Sequence, residues 1–182
     1  MPSDRNPHPE ERPEGASRRT QGNDAAQSQG TLQWHRWDEL STTVLYELLQ
    51  FRQAIFVVEQ ASPYPDLDGR DGEAQHLTLR RDGVLIGYLR LIAPGEPDQP
   101  QVRIGRVSVG VDDRGHGHAR LMMDEALRLA GQLYPNNDIQ IGAQTYLGSF
   151  YQSFGFTPSS SPYEDFGVPH IDLVLRRATP VP

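Results

Sequence analysis

Arg103-Ile104-Gly105-Arg106-Val107-Ser108-Val109-Gly110-Val111-Asp112-Asp113-Arg114-Gly115-His116-Gly117-His118-Ala119 is the stretch on which the fold turns. Up to Val109 it alternates apolar with polar or small residues, the period of a strand. Asp112-Asp113 reads as a turn or helix entry. From Ala119 onward Leu121, Met122, Met123, Ala126, Leu127, Leu129 and Ala130 recur at helical spacing. The order is therefore strand, tight glycine loop, helix.

That order has two readings. One is a plain strand-to-helix turn. The other is an anion site, because the first turn of a helix carries unpartnered N–H groups and the positive end of its dipole. Glycines let the backbone approach a phosphate closely, and Arg114 adds a cation. The loop lacks the Gly-Lys-Ser/Thr ending of one phosphate loop and the third glycine of the dinucleotide fingerprint. Val107-Ser108-Val109, followed after four residues by Arg114-x-x-Gly117-x-Ala119, resembles the acyl-CoA signature of the GCN5-related N-acetyltransferase (GNAT) family. The resemblance implies that the amides of Arg114, Gly115, His116, Gly117, His118 and Ala119 hold the CoA pyrophosphate. It also implies that Val107, Ser108 and Val109 offer backbone groups to the pantetheine arm.

A second stretch, Phe150-Tyr151-x-x-Phe154-Gly155-Phe156, resembles the second signature of that family. Its residue-level alternative is an aromatic core face. The family pattern implies that Tyr151 approaches the CoA sulfur and acts as general acid. Leu45-Tyr46, Arg52-x-x-Ile55-Phe56-Val57-Val58-Glu59-Gln60, Tyr64, Asp68-Gly69, Asp71, His76-Leu77, Ala143-Gln144 and Gly167-Val168-Pro169-His170-Ile171 resemble the ElaA-like branch over roughly Leu32 to Leu175. Ser62 stands where many relatives carry cysteine. The spacing of Arg52, Phe56, Asp68 and Asp71 is also similar to that of acyl-homoserine-lactone synthases, which share the fold.

The whole chain of 182 residues suits one domain. Its net charge of −7 argues against a nucleic-acid surface. There is no cysteine, which excludes a disulfide, a thiol nucleophile or a zinc–thiolate site. All 17 basic residues are arginine, so lysine autoacetylation is impossible. No apolar run is long enough to cross a membrane and none resembles a secretory signal, which points to a cytoplasmic protein. From Pro2 to Gly30 there is no Val, Ile, Leu, Phe, Tyr or Trp. Residues 1–30 are expected to form a disordered tail, residues 31–177 the acetyltransferase domain, and residues 178–182 a short C-terminal tail.

The remaining elements follow from pattern. Leu32 to Trp37 reads as a strand, and Val44 to Phe56 as an apolar helix face leading to Glu59. Gln60 to Glu73 is a loop with four acids in eight residues, Asp66, Asp68, Asp71 and Glu73. These are either turn-forming aspartates or an acidic rim for a cationic amine. Gln75 to Arg80 and Val84 to Ile92 flank Asp82-Gly83, a hairpin signal. Pro94 to Pro100 reads as a loop. Ile139 to Ala143 is a strand, Leu147 to Phe154 a short helix capped by Gly155, Tyr163 to Pro169 a loop, and His170 to Leu175 the last strand.

Amide formation from a thioester needs a base for the amine proton, and the strand before the glycine loop carries Arg103 and Arg106 rather than a carboxylate. Glu59 ends an apolar run, so desolvation is expected to raise its pKa and make it the base. The other reading is a structural cap or an ion pair with Arg52. Asp68, Asp71 and His76 are alternatives, and with Arg52 and Gln144 they are the candidate acceptor contacts. No metal site is expected at His116 and His118, and His170 reads as a hydrogen-bonded strand histidine. The expected fold is α/β, a mixed, mostly antiparallel sheet with helices on both faces. The resemblance implies a splayed strand pair that holds acyl-CoA. The expected activity is acetyl transfer from acetyl-CoA to a primary amine of a small molecule or peptide, by a chain that could be a homodimer. The alternatives are lactone-synthase-like acyl transfer and an acyl-CoA sensor without turnover.

Overall fold

Residues 30–95 and 99–177 are described by the computed structural model. Of the expected tails, residues 1–30 and 178–182, all but Gly30 lie outside these residues, as does part of the Pro94–Pro100 loop.

Eight strands form one sheet: β1 (Thr31–Arg36), β2 (Ala74–Arg81), β3 (Val84–Ile92), β4 (Val102–Val109), β5 (Ile139–Gln144), β6 (Thr157–Pro158), β7 (Tyr163–Asp165) and β8 (Val168–Leu175). Their order is β1-β2-β3-β4-β5-β8-β6, with β7 also on β8. Every pairing is antiparallel except that of β4 with β5. The helices are α1 (Thr42–Gln53), α2 (His118–Leu133) and α3 (Gly148–Gln152). This is the expected α/β sheet.

Local chemistry accounts for the turns. Asp82 and Gly83 both have positive φ, at 51° and 81°, which is the two-residue geometry that matches strand twist. Phe166 and Gly167, at 48° and 81°, repeat it between β7 and β8. Tyr163–Asp165, expected as loop, is a strand on β8 instead; two of its three residues are charged, so it shows no hydrophobic alternation. Ser41 caps α1 by accepting from the Val44 N–H at 3.2 Å. The expected single helix to Phe56 divides here: α1 stops at Gln53, and a wider π-helical turn, Ala54–Glu59, continues it. Gly155 takes the left-handed conformation expected of a helix cap, φ 91°.

The two sheet faces differ. Leu77, Leu79, Leu89, Leu91, Ile104, Ile139, Ile141 and Leu173 pack against Met122, Met123, Ala126 and Ala130 of α2 and against Tyr151 and Phe156 at α3. There Gly87 lets α2 approach closely, because a Cβ on it would lie 2.9 Å from the Met122 sulfur. The opposite face carries α1, with Leu48 buried, and the π-helical turn, with Ile55 buried.

Two departures from regular pairing create the working region. The β3–β4 register runs from Tyr88↔Ser108 to Arg90↔Gly105, so β4 holds one extra residue there. Arg106 sits in that bulge at φ 56°. Strands β4 and β5 pair only at Val102↔Ile139 and Arg103↔Gln140 and then part. Beyond that point the edge of β4 that faces β5 has no strand partner.

Candidate active site

A cavity of about 1010 Å³ opens where β4 and β5 part. It is walled by the π-helical turn, the loop after it, β4, the turn into α2, β5, the start of α3 and the β7–β8 hairpin.

At one end lies the glycine loop. Gly115 and Gly117 both take left-handed backbone, at φ 79° and 81°, and a Cβ on either would meet nothing within 4 Å. Gly117 is the cap of α2, so the first amides of that helix point at open space. The cavity wall includes Val107, Ser108, Val109, Arg114, Gly115, Gly117, His118 and Ala119, and also Arg120. His116 does not line it, and its Nδ1 lies 3.3 Å from the Asp113 carbonyl. His118 is buried and its Nε2 has no partner. Burial lowers its pKa, so the ring is neutral near pH 7. This orphaned nitrogen and the unfilled space at two left-handed glycines suit a phosphorylated ligand. Ser108 donates its hydroxyl to the Arg106 carbonyl at 3.1 Å.

Glu59 does not behave as its position in an apolar run suggested. Its carboxylate accepts both terminal nitrogens of Arg114 at 2.8 Å each, and the side chain is more than one-third exposed. The Arg114 guanidinium holds its pKa below the usual carboxylate range instead of above it. The partner is Arg114, not Arg52. The pair lies at the cavity mouth, and Arg114 Nε also donates to the Val109 carbonyl at 3.1 Å.

The acidic loop is pinned by three arginines. Arg52, fully buried, donates to Asp66 at 2.8 Å and to Asp71 at 2.7 Å. Arg90 reaches Asp68 at 2.5 Å and Asp71 at 2.8 Å. Arg106 reaches Asp66 at 2.6 Å and Asp68 at 3.2 Å, and stacks 4.8 Å from the centre of the Tyr64 ring. Burial opposes ionisation of Asp68 and Asp71, but hydrogen bonds from these guanidiniums outweigh it and depress both pKa values. Of the expected acceptor contacts, Asp68 and Gln144 line the cavity, and Gln144 donates to Gln60 at 3.0 Å. Arg52, Asp71 and His76 stand behind the wall. His76 is held on both nitrogens, by the Tyr88 hydroxyl at 2.7 Å and the Asp71 carbonyl at 2.9 Å, and burial lowers its pKa.

Arg90 is not named by the sequence reading, which places Arg106 only as a charge on the strand before the glycine loop and Asp66 only among the four loop acids. Arg90 had a usable signal, a charge between Leu89 and Leu91 in a strand buried on both faces, which requires a buried partner.

On the other side of the fork, Tyr151 is 4% exposed and lines the cavity from α3. Phe150 packs edge-on against it, with ring centroids 5.0 Å apart. Burial, reinforced by Tyr146, raises its pKa well above that of free tyrosine. Among the described residues its hydroxyl has no hydrogen-bond partner. The far wall carries His170 and Asp172 of β8 and Tyr163 of β7, whose hydroxyl donates to Asp172 at 3.0 Å. Burial and that carboxylate push the Tyr163 pKa up to about 12. Among the described residues, no group of three His, Asp or Glu side chains is placed to hold a metal ion, and no helix is long and apolar enough to cross a membrane.

Residues 46–177 match the family described as an acetyltransferase (GNAT) domain. Protein ElaA of Escherichia coli is 41% identical over 137 residues, covering 74% of this chain and 89% of that protein. Its crystal structure superposes with a TM-score of 0.75 at 39% identity, covering 81% of this chain and 99% of the other. An acyl-CoA N-acyltransferase from Pseudomonas aeruginosa gives a TM-score of 0.76 at 36% identity, with 82% and 99% covered.

Proposed function

The chain belongs to the GNAT acetyltransferase family, and from that premise we propose that it transfers the acetyl group of acetyl-CoA to a primary amine. The acceptor is a small-molecule or peptide amine, the acetyltransferase domain spans residues 31–177, and the protein works in the cytoplasm.

The observation that carries this reading is the fork itself. A thioester needs a slot with free backbone groups on one side and a proton donor near its sulfur. The parted strands β4 and β5 leave such a slot, and Tyr151 borders it. The first-turn amides of α2, with Gly115 and Gly117, receive the pyrophosphate at one end. The unpaired edge of β4 through Val107, Ser108 and Val109 hydrogen-bonds the pantetheine amides.

When the amine attacks the thioester carbonyl, charge develops on the departing sulfur. A thiol of pKa about 8.5 leaves as thiolate, and a phenol of pKa about 10 or higher is still protonated at neutral pH. Tyr151, with its pKa raised further by burial, therefore keeps its proton until the sulfur needs it. The Glu59–Arg114 pair braces the loop at the mouth and is not the base.

Calorimetry on Gly117→Val tests the donor site. The β-branched side chain cannot adopt the left-handed backbone without strain and stands where phosphate must approach. Acetyl-CoA affinity is expected to fall at least tenfold while the variant remains folded by circular dichroism. Unaltered affinity would put the donor elsewhere.

A further inference from the structure

We propose that His170 is the general base that takes the proton from the acceptor amine. The inference rests on the acetyl-transfer reading and adds the group that reading lacks.

Several carboxylates at the cavity are committed to guanidiniums. Glu59 is held by Arg114, Asp68 by Arg90 and Arg106, and Asp113 by Arg81. A carboxylate so paired is a poor proton acceptor.

His170 is arranged differently. Its Nδ1 lies 2.8 Å from the Val168 carbonyl oxygen. A carbonyl only accepts, so the geometry assigns the proton to Nδ1 and leaves the lone pair on Nε2. Among the described residues Nε2 has no partner. The ring stacks on that of Tyr163, with centroids 6.1 Å apart and planes inclined by 26°. Tyr163 is in turn fixed by its bond to Asp172. The imidazole is thus held in one tautomer and one plane, and it lines the cavity.

Register puts it beside the reacting region. His170 pairs with Gln144 and Asp172 with Gly142. Both β5 residues lie beyond Gln140, where β5 has left β4. The base borders the fork from β8 and Tyr151 borders it from α3.

The proton and bond changes balance. The amine nitrogen bonds to the thioester carbonyl carbon, and its proton passes to His170 Nε2. The carbon–sulfur bond breaks, and the leaving sulfur takes the Tyr151 proton. Solvent relays the His170 proton and restores Tyr151, leaving an N-acetyl amide and free CoA thiol. The other titratable groups of the cleft are Tyr163 and Asp165 on β7, Asp172 on β8, Tyr64 and Asp68 on the acidic loop, Tyr146 before α3 and His118 at the start of α2, besides its arginines. Strand β5 lines it with Gln140, Ile141, Gly142, Ala143 and Gln144, none of them titratable.

The test uses the full chain, acetyl-CoA and a panel of primary amines (amino acids, their amides, polyamines and short peptides), read by thiol release. His170→Asn keeps a donor for the Val168 carbonyl and deletes the acceptor nitrogen. We expect kcat to fall about a hundredfold or more with acetyl-CoA binding unchanged. Full turnover in His170→Asn would overturn the proposal. Nitrogen NMR of the wild type supplies a reading independent of variant folding. A proton on Nε2 and none on Nδ1 in the neutral ring would overturn it as well. If acetyl-CoA binds and the wild type acetylates no amine, the acetyl-transfer reading falls and takes this inference with it.

Discussion

One face of the sheet is apolar and covered by α2; the other is polar and faces the cleft. On the first, Leu79, Leu91, Met122 and Met123 are fully buried and need only fit. On the second, Arg52, Asp66, Asp71 and Arg90 are also buried but carry charge. Dispersion and water exclusion hold the first face, while the second depends on each charge finding its partner. A loop with two prolines and two glycines has little apolar area with which to dock. Its aspartates, clamped by arginines from α1, β3 and β4, hold it over the sheet. The difference separates two tasks: the α2 face packs the core, and the ionic face fixes one wall of the cavity.

The largest expected effect comes from breaking the ionic face. Arg52→Met keeps the apolar stem but leaves Asp66 and Asp71 buried and uncompensated. It should cost about 3–5 kcal/mol in urea unfolding at pH 7. Leu91→Ala on the apolar face should cost about 2–5 kcal/mol. A cost below 1 kcal/mol for Arg52→Met would mean that the loop is held by packing alone.

Acid separates the faces more sharply. Asp68 and Asp71 have folded pKa values below the unfolded value of about 3.9. Their contribution is therefore complete above about pH 5 and is lost as pH falls through 3.9 toward the folded values. The stability gap between wild type and Arg52→Met should narrow between pH 5 and pH 3. The gap for Leu91→Ala should stay constant. Parallel behaviour of the two variants would contradict the contrast.

The smallest effect is expected outside both faces. Deleting residues 1–30, which contain no Val, Ile, Leu, Phe, Tyr or Trp, should shift the melting temperature by no more than a degree or two and leave CoA affinity unchanged. A loss of several degrees would mean that this segment docks on the domain.

What was readable in sequence was local. The change of period from strand to helix across Arg103–Ala130, the Asp82-Gly83 turn and the Gly155 cap depend on neighbours a few residues apart. The ionic clamp does not: Arg52 meets Asp66 and Asp71 at 14 and 19 residues, and Arg106 meets Asp66 at 40. No short-range pattern encodes those partners, so Arg52 and Asp71 looked like cleft residues. Glu59 failed for the same reason, since the cation that lowers its pKa lies 55 residues away. Tyr163–Asp165 was unreadable as a strand because an exposed, charged edge has no hydrophobic alternation.

The central claim is transfer of acetyl from acetyl-CoA to an amine in the fork, with Tyr151 protonating the leaving sulfur. Tyr151→Phe tests it most directly, because the change keeps the ring among Phe150 and Phe156 and removes only the hydroxyl. Thiol release should be measured beside mass-spectrometric detection of the N-acetylated amine, on an acceptor verified for the wild type, with acetyl-CoA affinity determined in parallel. The account predicts one N-acetyl product per thiol in the wild type, a kcat at least tenfold lower in Tyr151→Phe, and acetyl-CoA affinity unchanged. Full turnover in Tyr151→Phe would remove Tyr151 from the chemistry. Tight binding of acetyl-CoA by the wild type without thiol release for any amine would contradict catalysis itself.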